Sequence, residues 1–159
     1  MNDFSETFVN QWFSATFVWT DGLLTRTDLS AEPKVATAPL SPYGAALERI
    51  VTQYASLDAD EWPDLPLDRR SLTTFSLTVL DTLRLHTPRG TFTTYGRLAA
   101  RCGSPQAARA VGGVMARNPW PLLVPCHRVL AGNLGLGGFG PGIDLKRTLL
   151  TLEKALLPA

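Results

Sequence analysis

Cys126 and His127 stand side by side in the run Pro125-Cys126-His127-Arg128-Val129, in a chain that holds only two cysteines and two histidines. A cysteine sulfur attacks as thiolate, and a neighbouring imidazole or cation raises the thiolate fraction. The pair therefore reads as a nucleophile beside its base. Cys102 lies among alanines on an expected helix and reads as an inert core thiol. A metal centre would need ligands at regular spacing, and neither the Cys126–His127 adjacency nor the isolated His86 supplies one, so no metal is expected. Taken singly, Glu153 reads as a solvated helix residue and Tyr95 as an amphipathic core residue. Arg128, flanked by apolar residues, reads as a structural charge partner.

The 159 residues make one or two small domains with enough chain to bury a core. No run reaches the roughly 20 apolar residues of a membrane-spanning helix. Residues 1–6 carry two acids and no base, which does not read as a secretory signal. Two cysteines without an export signal are expected as reduced thiols, and cytoplasmic residence follows as the default. The net charge of +1 is unevenly spread. Residues 1–87 hold six Lys/Arg against twelve Asp/Glu, and residues 88–159 hold nine against two. A basic C-terminal part suits a polyanion, nucleic acid above all; the alternative is that the two halves attract each other.

Those residues need elements to hold them. Asp21-Gly22 marks a hairpin turn between strands at 16–20 and 23–27. Residues 30–42, with three prolines, read as loop. Apolar residues at 43, 46, 47, 50, 51 and 54 predict a helix over 43–57. Residues 58–70 read as a linker with a short extended piece at 65–67. Ser71 is placed to cap a helix running to about residue 85. Thr94 caps a short helix over 95–102, ended by Gly103, and Ser104-Pro105 restarts a helix that runs to about residue 117. Two short helices around a glycine turn outline a helix-turn-helix. Residues 118–121 stop it, residues 132–142 with six glycines read as a mobile loop, and 143–157 closes the chain as a helix.

The second helix of that pair is nearly bare: Gln106-Ala107-Ala108-Arg109-Ala110-Val111-Gly112-Gly113-Val114-Met115. Each interior glycine costs roughly 1 kcal/mol relative to alanine, so close approach to another backbone is expected to offset it. Tight helix packing is one such approach. A DNA groove, with Arg109 projecting from an alanine surface, is the other. The lack of polar base readers favours sequence-nonspecific or minor-groove contact.

Residues 71–155 resemble the C-terminal domain of the methylated-DNA–protein-cysteine methyltransferases, the O6-alkylguanine-DNA alkyltransferases. The resemblance is carried by Pro88-Arg89-Gly90, Thr94-Tyr95-Gly96, Ala107-Ala108-Arg109-Ala110-Val111-Gly112, Asn118-Pro119, Pro125-Cys126-His127-Arg128-Val129, and Lys146 with Leu149-Leu150-Thr151-Leu152-Glu153. It implies a small α/β N-terminal domain (1–70, a short antiparallel sheet plus helix and linker). An all-α, winged-helix-like helix-turn-helix domain (71–159) would follow it and carry both DNA binding and the alkyl acceptor. It further implies a single-turnover, cofactor-free monomer that moves an alkyl group from O6-alkylguanine in duplex DNA to Cys126. By resemblance His127 takes the thiol proton, Glu153 orients the imidazole, Asn118 holds the turn and Tyr95 protonates the departing guanine. Arg109 fills the place of the flipped base, and Thr94, Gly96, Ser104, Ala107 and Ala108 meet the DNA. Pro121, Val129, Phe139 and Gly140 line the base pocket.

The chain departs from the family's pattern in the glycine loop, which reads Gly138-Phe139-Gly140-Pro141-Gly142. Many members carry a tyrosine, a small residue and two glycines there. Leu80 also stands where a tryptophan is common. Two rival functions remain: a non-enzymatic alkyltransferase-like lesion sensor, against which Cys126 argues, and a small thiol hydrolase, which would need an oxyanion site.

Overall fold

A computed structural model describes residues 2–155. Three antiparallel strands, β1 (Phe4–Val9), β2 (Ser14–Thr20) and β3 (Leu23–Ser30), form a meander. Asp21 and Gly22 turn β2 into β3 with φ of 50° and 80°. The type I′ hairpin turn needs positive φ at both central positions. Alternation puts Phe8, Ala15, Phe17, Trp19 and Leu24 on the buried face. The register shifts between Val18 and Trp19, leaving Thr25 as the extra residue in β3 and returning Thr27 and Leu29 to the inner face.

Helix α1 (Gly44–Thr52) packs on β1 and buries Leu47, Ile50 and Val51, and a 3₁₀ turn at Tyr54–Ser56 continues the same face. The helix expected over 43–57 is thus split into two pieces. Its start is fastened by Glu6, a fully buried acid on β1. The Glu6 carboxylate accepts hydrogen bonds from Trp19 Nε1 (3.0 Å), Leu40 N (2.8 Å), Ser41 N (3.1 Å) and Ser41 Oγ (2.6 Å). The extended piece expected at 65–67 pairs with β3, Leu24 N donating to Pro66 O (2.8 Å) and Asp68 N to Leu24 O (3.0 Å).

Helix α2 (Thr74–His86) is capped by Thr73, whose hydroxyl accepts from Ser76 N, and not by Ser71. Residues 69–72 form a turn before it, with Leu72 N bonded to Arg69 O. Helix α3 (Tyr95–Arg101) has Thr94 as its cap, accepting from Arg97 N at 3.2 Å, and Gly103 follows at φ 80°. Ser104-Pro105 does not begin the next helix. Residues 104–107 close a separate turn, Ala107 N to Ser104 O, and α4 spans Ala108–Ala116. α2, α3 and α4 pack against one another.

The C-terminal part is not all-α. Strands β4 (Thr93–Thr94) and β5 (Val129–Leu130) pair in parallel, tying the start of α3 to the segment after Cys126. Helix α5 (Ile143–Leu152) stops short of residue 157. Lys154 takes a left-handed conformation (φ 57°), and Ala155 N reaches back to Leu150 O at 3.0 Å. Residues 156 and 157 of the expected helix lie outside the described residues. All but Leu130 and Leu150 of the buried apolar side chains among the described residues form one cluster, from Phe8 on β1 to Leu149 on α5. Among the described residues no helix is long and apolar enough to cross a membrane.

Candidate active site

Cys126, His127 and Arg128 form a single 3₁₀ turn between Pro125 and β5, all three buried. The turn is held from both sides. Asn118 donates from Nδ2 to Val124 O and accepts from Trp120 N, both at 2.9 Å. Between them Leu122, 1% exposed, is forced to φ 79°, a conformation unfavourable for a side chain bearing a Cβ. Strand β3 braces the same segment, Thr27 N bonding Pro119 O (2.8 Å) and Trp120 Nε1 bonding Leu24 O (3.0 Å).

Behind Cys126 lies a buried charge cluster. His127 Nε2 meets Glu153 Oε2 at 2.7 Å and Oε1 at 3.1 Å. Arg128 grips the same carboxylate through Nε (2.7 Å) and Nη2 (3.1 Å), and reaches Asp60 through both terminal nitrogens and Thr87 O through Nη1. Tyr54 adds its hydroxyl to Glu153 Oε2 at 2.5 Å. Burial alone would raise the Glu153 carboxyl, but His127 and Arg128 outweigh it and hold the group well below the usual carboxylate range. Burial pushes His127 below its ordinary value despite Glu153, so the ring is neutral at neutral pH. Facing an ionised carboxylate, Nε2 carries the hydrogen, which leaves Nδ1 as the basic nitrogen. That Nδ1 is buried and has no hydrogen-bond partner among the described residues.

Cys126, 7% exposed, borders a cavity of about 270 Å³. Tyr95 and Gly112 line it from α3 and α4, with Met115 and Ala116 further along α4. Asn118, Pro121 and residues 138–141 of the glycine loop complete the wall. Burial raises the Cys126 thiol. A hydrogen bond from Asn118, the Lys146 ammonium and the backbone N–H groups of Cys126 and His127 act against it without prevailing. The resting group is therefore a thiol, and the thiolate must form along the reaction path. Burial likewise raises the Tyr95 phenol, keeping its proton available, and the hydroxyl lies over Gly137. Gly137 sits at φ 71°, and a Cβ there would come within 3.4 Å of that oxygen.

Arg109 is exposed at the start of α4. Ala107, Ala108, Gly96 and Ser104 are half-buried around the α3–α4 turn, while the Thr94 hydroxyl is committed to its cap. Val129 does not line the cavity. It is fully buried in β5, where its carbonyl accepts from the Lys146 ammonium at 2.7 Å. Burial lowers Lys146 to about 8 against the partial restoring effect of Cys126. Sequence reasoning missed Tyr54 and Asp60. Tyr54 stood in the helical pattern as one more core position, and Asp60 as one acid of an acidic linker. Among the described residues no three His, Cys, Asp or Glu converge as a metal site.

A family model described as the 6-O-methylguanine DNA methyltransferase DNA-binding domain matches residues 74–155, just over half of the chain and the stretch that holds the whole cavity. The chain belongs to this family. A methylated-DNA–protein-cysteine methyltransferase of Mycolicibacterium paratuberculosis is 35% identical over 134 residues, 84% of this chain and 74% of that protein. One from Mycobacterium tuberculosis is 46% identical over 96 residues, 60% of this chain and 57% of the relative. One from Haemophilus influenzae is 51% identical over 65 residues, 41% and 36%. The last two alignments thus span about a third to three-fifths of the relatives' own length. The crystal structure of the M. tuberculosis O6-methylguanine methyltransferase superposes with a TM-score of 0.76 at 31% identity, covering 99% of this chain and 96% of that one. The same organism's protein in complex with DNA gives 0.75, over 98% and 95%. The small antiparallel sheet followed by helices is the architecture of these family members.

Proposed function

We propose that this protein repairs DNA by moving the alkyl group of O6-alkylguanine in duplex DNA onto Cys126 Sγ, once per molecule. One observation carries the reading. The only cysteine bordering the cavity is backed by a neutral imidazole with a free Nδ1, which a buried carboxylate orients from the far side. The relatives' names and the DNA complex of the M. tuberculosis protein point the same way.

In the proposed step the Sγ–H proton passes through a water to His127 Nδ1, and Glu153 stabilises the imidazolium. Sγ forms a bond to the alkyl carbon as the bond from that carbon to O6 breaks, leaving its electron pair on guanine. Tyr95 gives its proton to the departing base and recovers one from the imidazolium. The net change is one proton moved from thiol to guanine. The raised thiol fits this sequence, because proton removal and attack then occur together and the sulfur is less reactive toward other electrophiles.

The lesion reaches the cavity by leaving the base stack. The two units (1–70 and 71–159) divide the work, the second docking α4 in the minor groove as a winged-helix-like helix-turn-helix with Arg109 in the vacated place. The half-buried Gly96, Ser104, Ala107 and Ala108 fit backbone contacts to phosphate, and Pro121, Phe139 and Gly140 the walls around the base. The protein works as a monomer, in the cytoplasm, without a cofactor. The test is single-turnover transfer from an oligonucleotide carrying radiolabelled O6-methylguanine. Label on the peptide containing Cys126, lost in Cys126→Ser, supports the reading. Tight lesion binding without transfer replaces it with a lesion sensor.

A further inference from the structure

We propose that Tyr54 is a positioning residue for alkyl transfer: its hydroxyl shares Glu153 Oε2 with His127 Nε2 and so sets how firmly the carboxylate holds the imidazole proton. The inference rests on the transfer reading above. Tyr54 lies 99 positions before Glu153, on the 3₁₀ turn that follows α1, so the reacting side chains are completed from the other end of the chain.

Its hydroxyl is fixed in place. Tyr54 is 2% exposed, its ring packs edge-on against Phe13 (5.3 Å between centroids), and the Arg89 guanidinium covers the ring at 4.6 Å. Arg89 also donates to Tyr54 O, and its backbone N–H bonds Asp60 at 3.0 Å. Burial, and then the Glu153 charge, hold the phenol well above its ordinary value, so it stays a donor. Three donors therefore converge on one oxygen, Tyr54 at 2.5 Å, His127 at 2.7 Å and Arg128 Nη2 at 3.1 Å, with Tyr54 the shortest. A carboxylate oxygen that already accepts one strong hydrogen bond is a weaker acceptor for the next. The charged and titratable groups around the imidazole are Cys126 and Arg128 on its own turn, Glu153 at the end of α5, and Asp60, Arg89 and Tyr54 from the opposing segments. Of these only Tyr54 and Arg128 compete with His127 for Oε2.

Removing the phenol oxygen leaves more of the carboxylate charge for the imidazolium, so His127 gains its proton at higher pH. The test is Tyr54→Phe in the whole protein, followed by NMR titration of the imidazoles. Only two histidines exist, and His86→Gln assigns them. We expect the His127 midpoint to rise by roughly half to one pH unit. The acid limb of the single-turnover profile should move with it, while affinity for lesion DNA is unchanged. Tyr54→Leu, which also loses ring packing, should show the same shift. A lowered melting temperature with an unmoved midpoint in both variants overturns the proposal and leaves Tyr54 a brace. If the wild type transfers no label, the transfer reading fails. The Tyr54–His127 coupling still stands or falls on the titration alone.

Discussion

Glu153→Gln isolates what the buried carboxylate does. In the native cluster four donor atoms, Tyr54 Oη, His127 Nε2 and Arg128 Nε and Nη2, converge on its two oxygens. An amide has one acceptor oxygen and one NH2, so at least one of those donors must face another donor. Arg128 keeps Asp60 and Thr87 O, and its cation is not stranded. That places the loss at the low end for a broken buried pair, about 3 kcal/mol. For a chain of this size it corresponds to a melting temperature lower by roughly 6–12 °C. Because the folded carboxyl lies well below its unfolded value of about 4.3, its stabilisation is complete above that value. It is lost as pH falls through and below it. The gap between wild type and variant should therefore be full at pH 7 and close as the pH drops below about 4. Transfer at neutral pH should slow by about 10²–10³-fold as the imidazolium loses its counter-charge. Thermal melts across pH and single-turnover labelling read both quantities. A variant that melts with the wild type at pH 7, or transfers at the same rate, refutes the role given to the carboxylate.

Arg109→Ala should slow repair of duplex lesions roughly ten- to a hundredfold while leaving reaction with free O6-benzylguanine unchanged; side-by-side single-turnover rates check this, and equal losses would make Arg109 structural. Asn118→Ala removes both braces of the nucleophile's turn and should cost about 2 kcal/mol in denaturant unfolding. It also removes one of the groups that draw the Cys126 thiol down, so iodoacetamide alkylation of Cys126 at pH 8 should slow. Gly137→Ala meets a positive φ and the Tyr95 hydroxyl together, and should cost about 1 kcal/mol and slow transfer more than it lowers stability warrants.

Features set by local chemistry were legible in the sequence. Cys126-His127, the Asp21-Gly22 turn, the Thr94 cap and the Gly103 terminator each follow from backbone or side-chain properties expressed within a few positions. Misplaced features depended on choices between neighbours: Thr73 and not Ser71 caps α2, and Ser104-Pro105 makes a separate turn where a helix start was expected. What was invisible is non-local. No periodicity marks the two-residue β4–β5 pairing, and nothing near Glu6 announces a buried acid whose donors come from Trp19 and residues 40–41. Tyr54 looked like core because it is core, and only the fold brings its hydroxyl to Glu153. The state of the Cys126 sulfur also reversed expectation. Adjacency to His127 suggested a ready thiolate, whereas its depth in the molecule keeps it protonated.

The unbroken apolar interior from Phe8 to Leu149 has a consequence for how this molecule comes apart. Sheet and helices share one seamless filling, with Trp120 and Pro119 hydrogen-bonded into the strand side of it. Heat should therefore melt the whole described chain as a single calorimetric peak. Exposure of the buried sulfur to bulk water should then follow that same transition and not precede it.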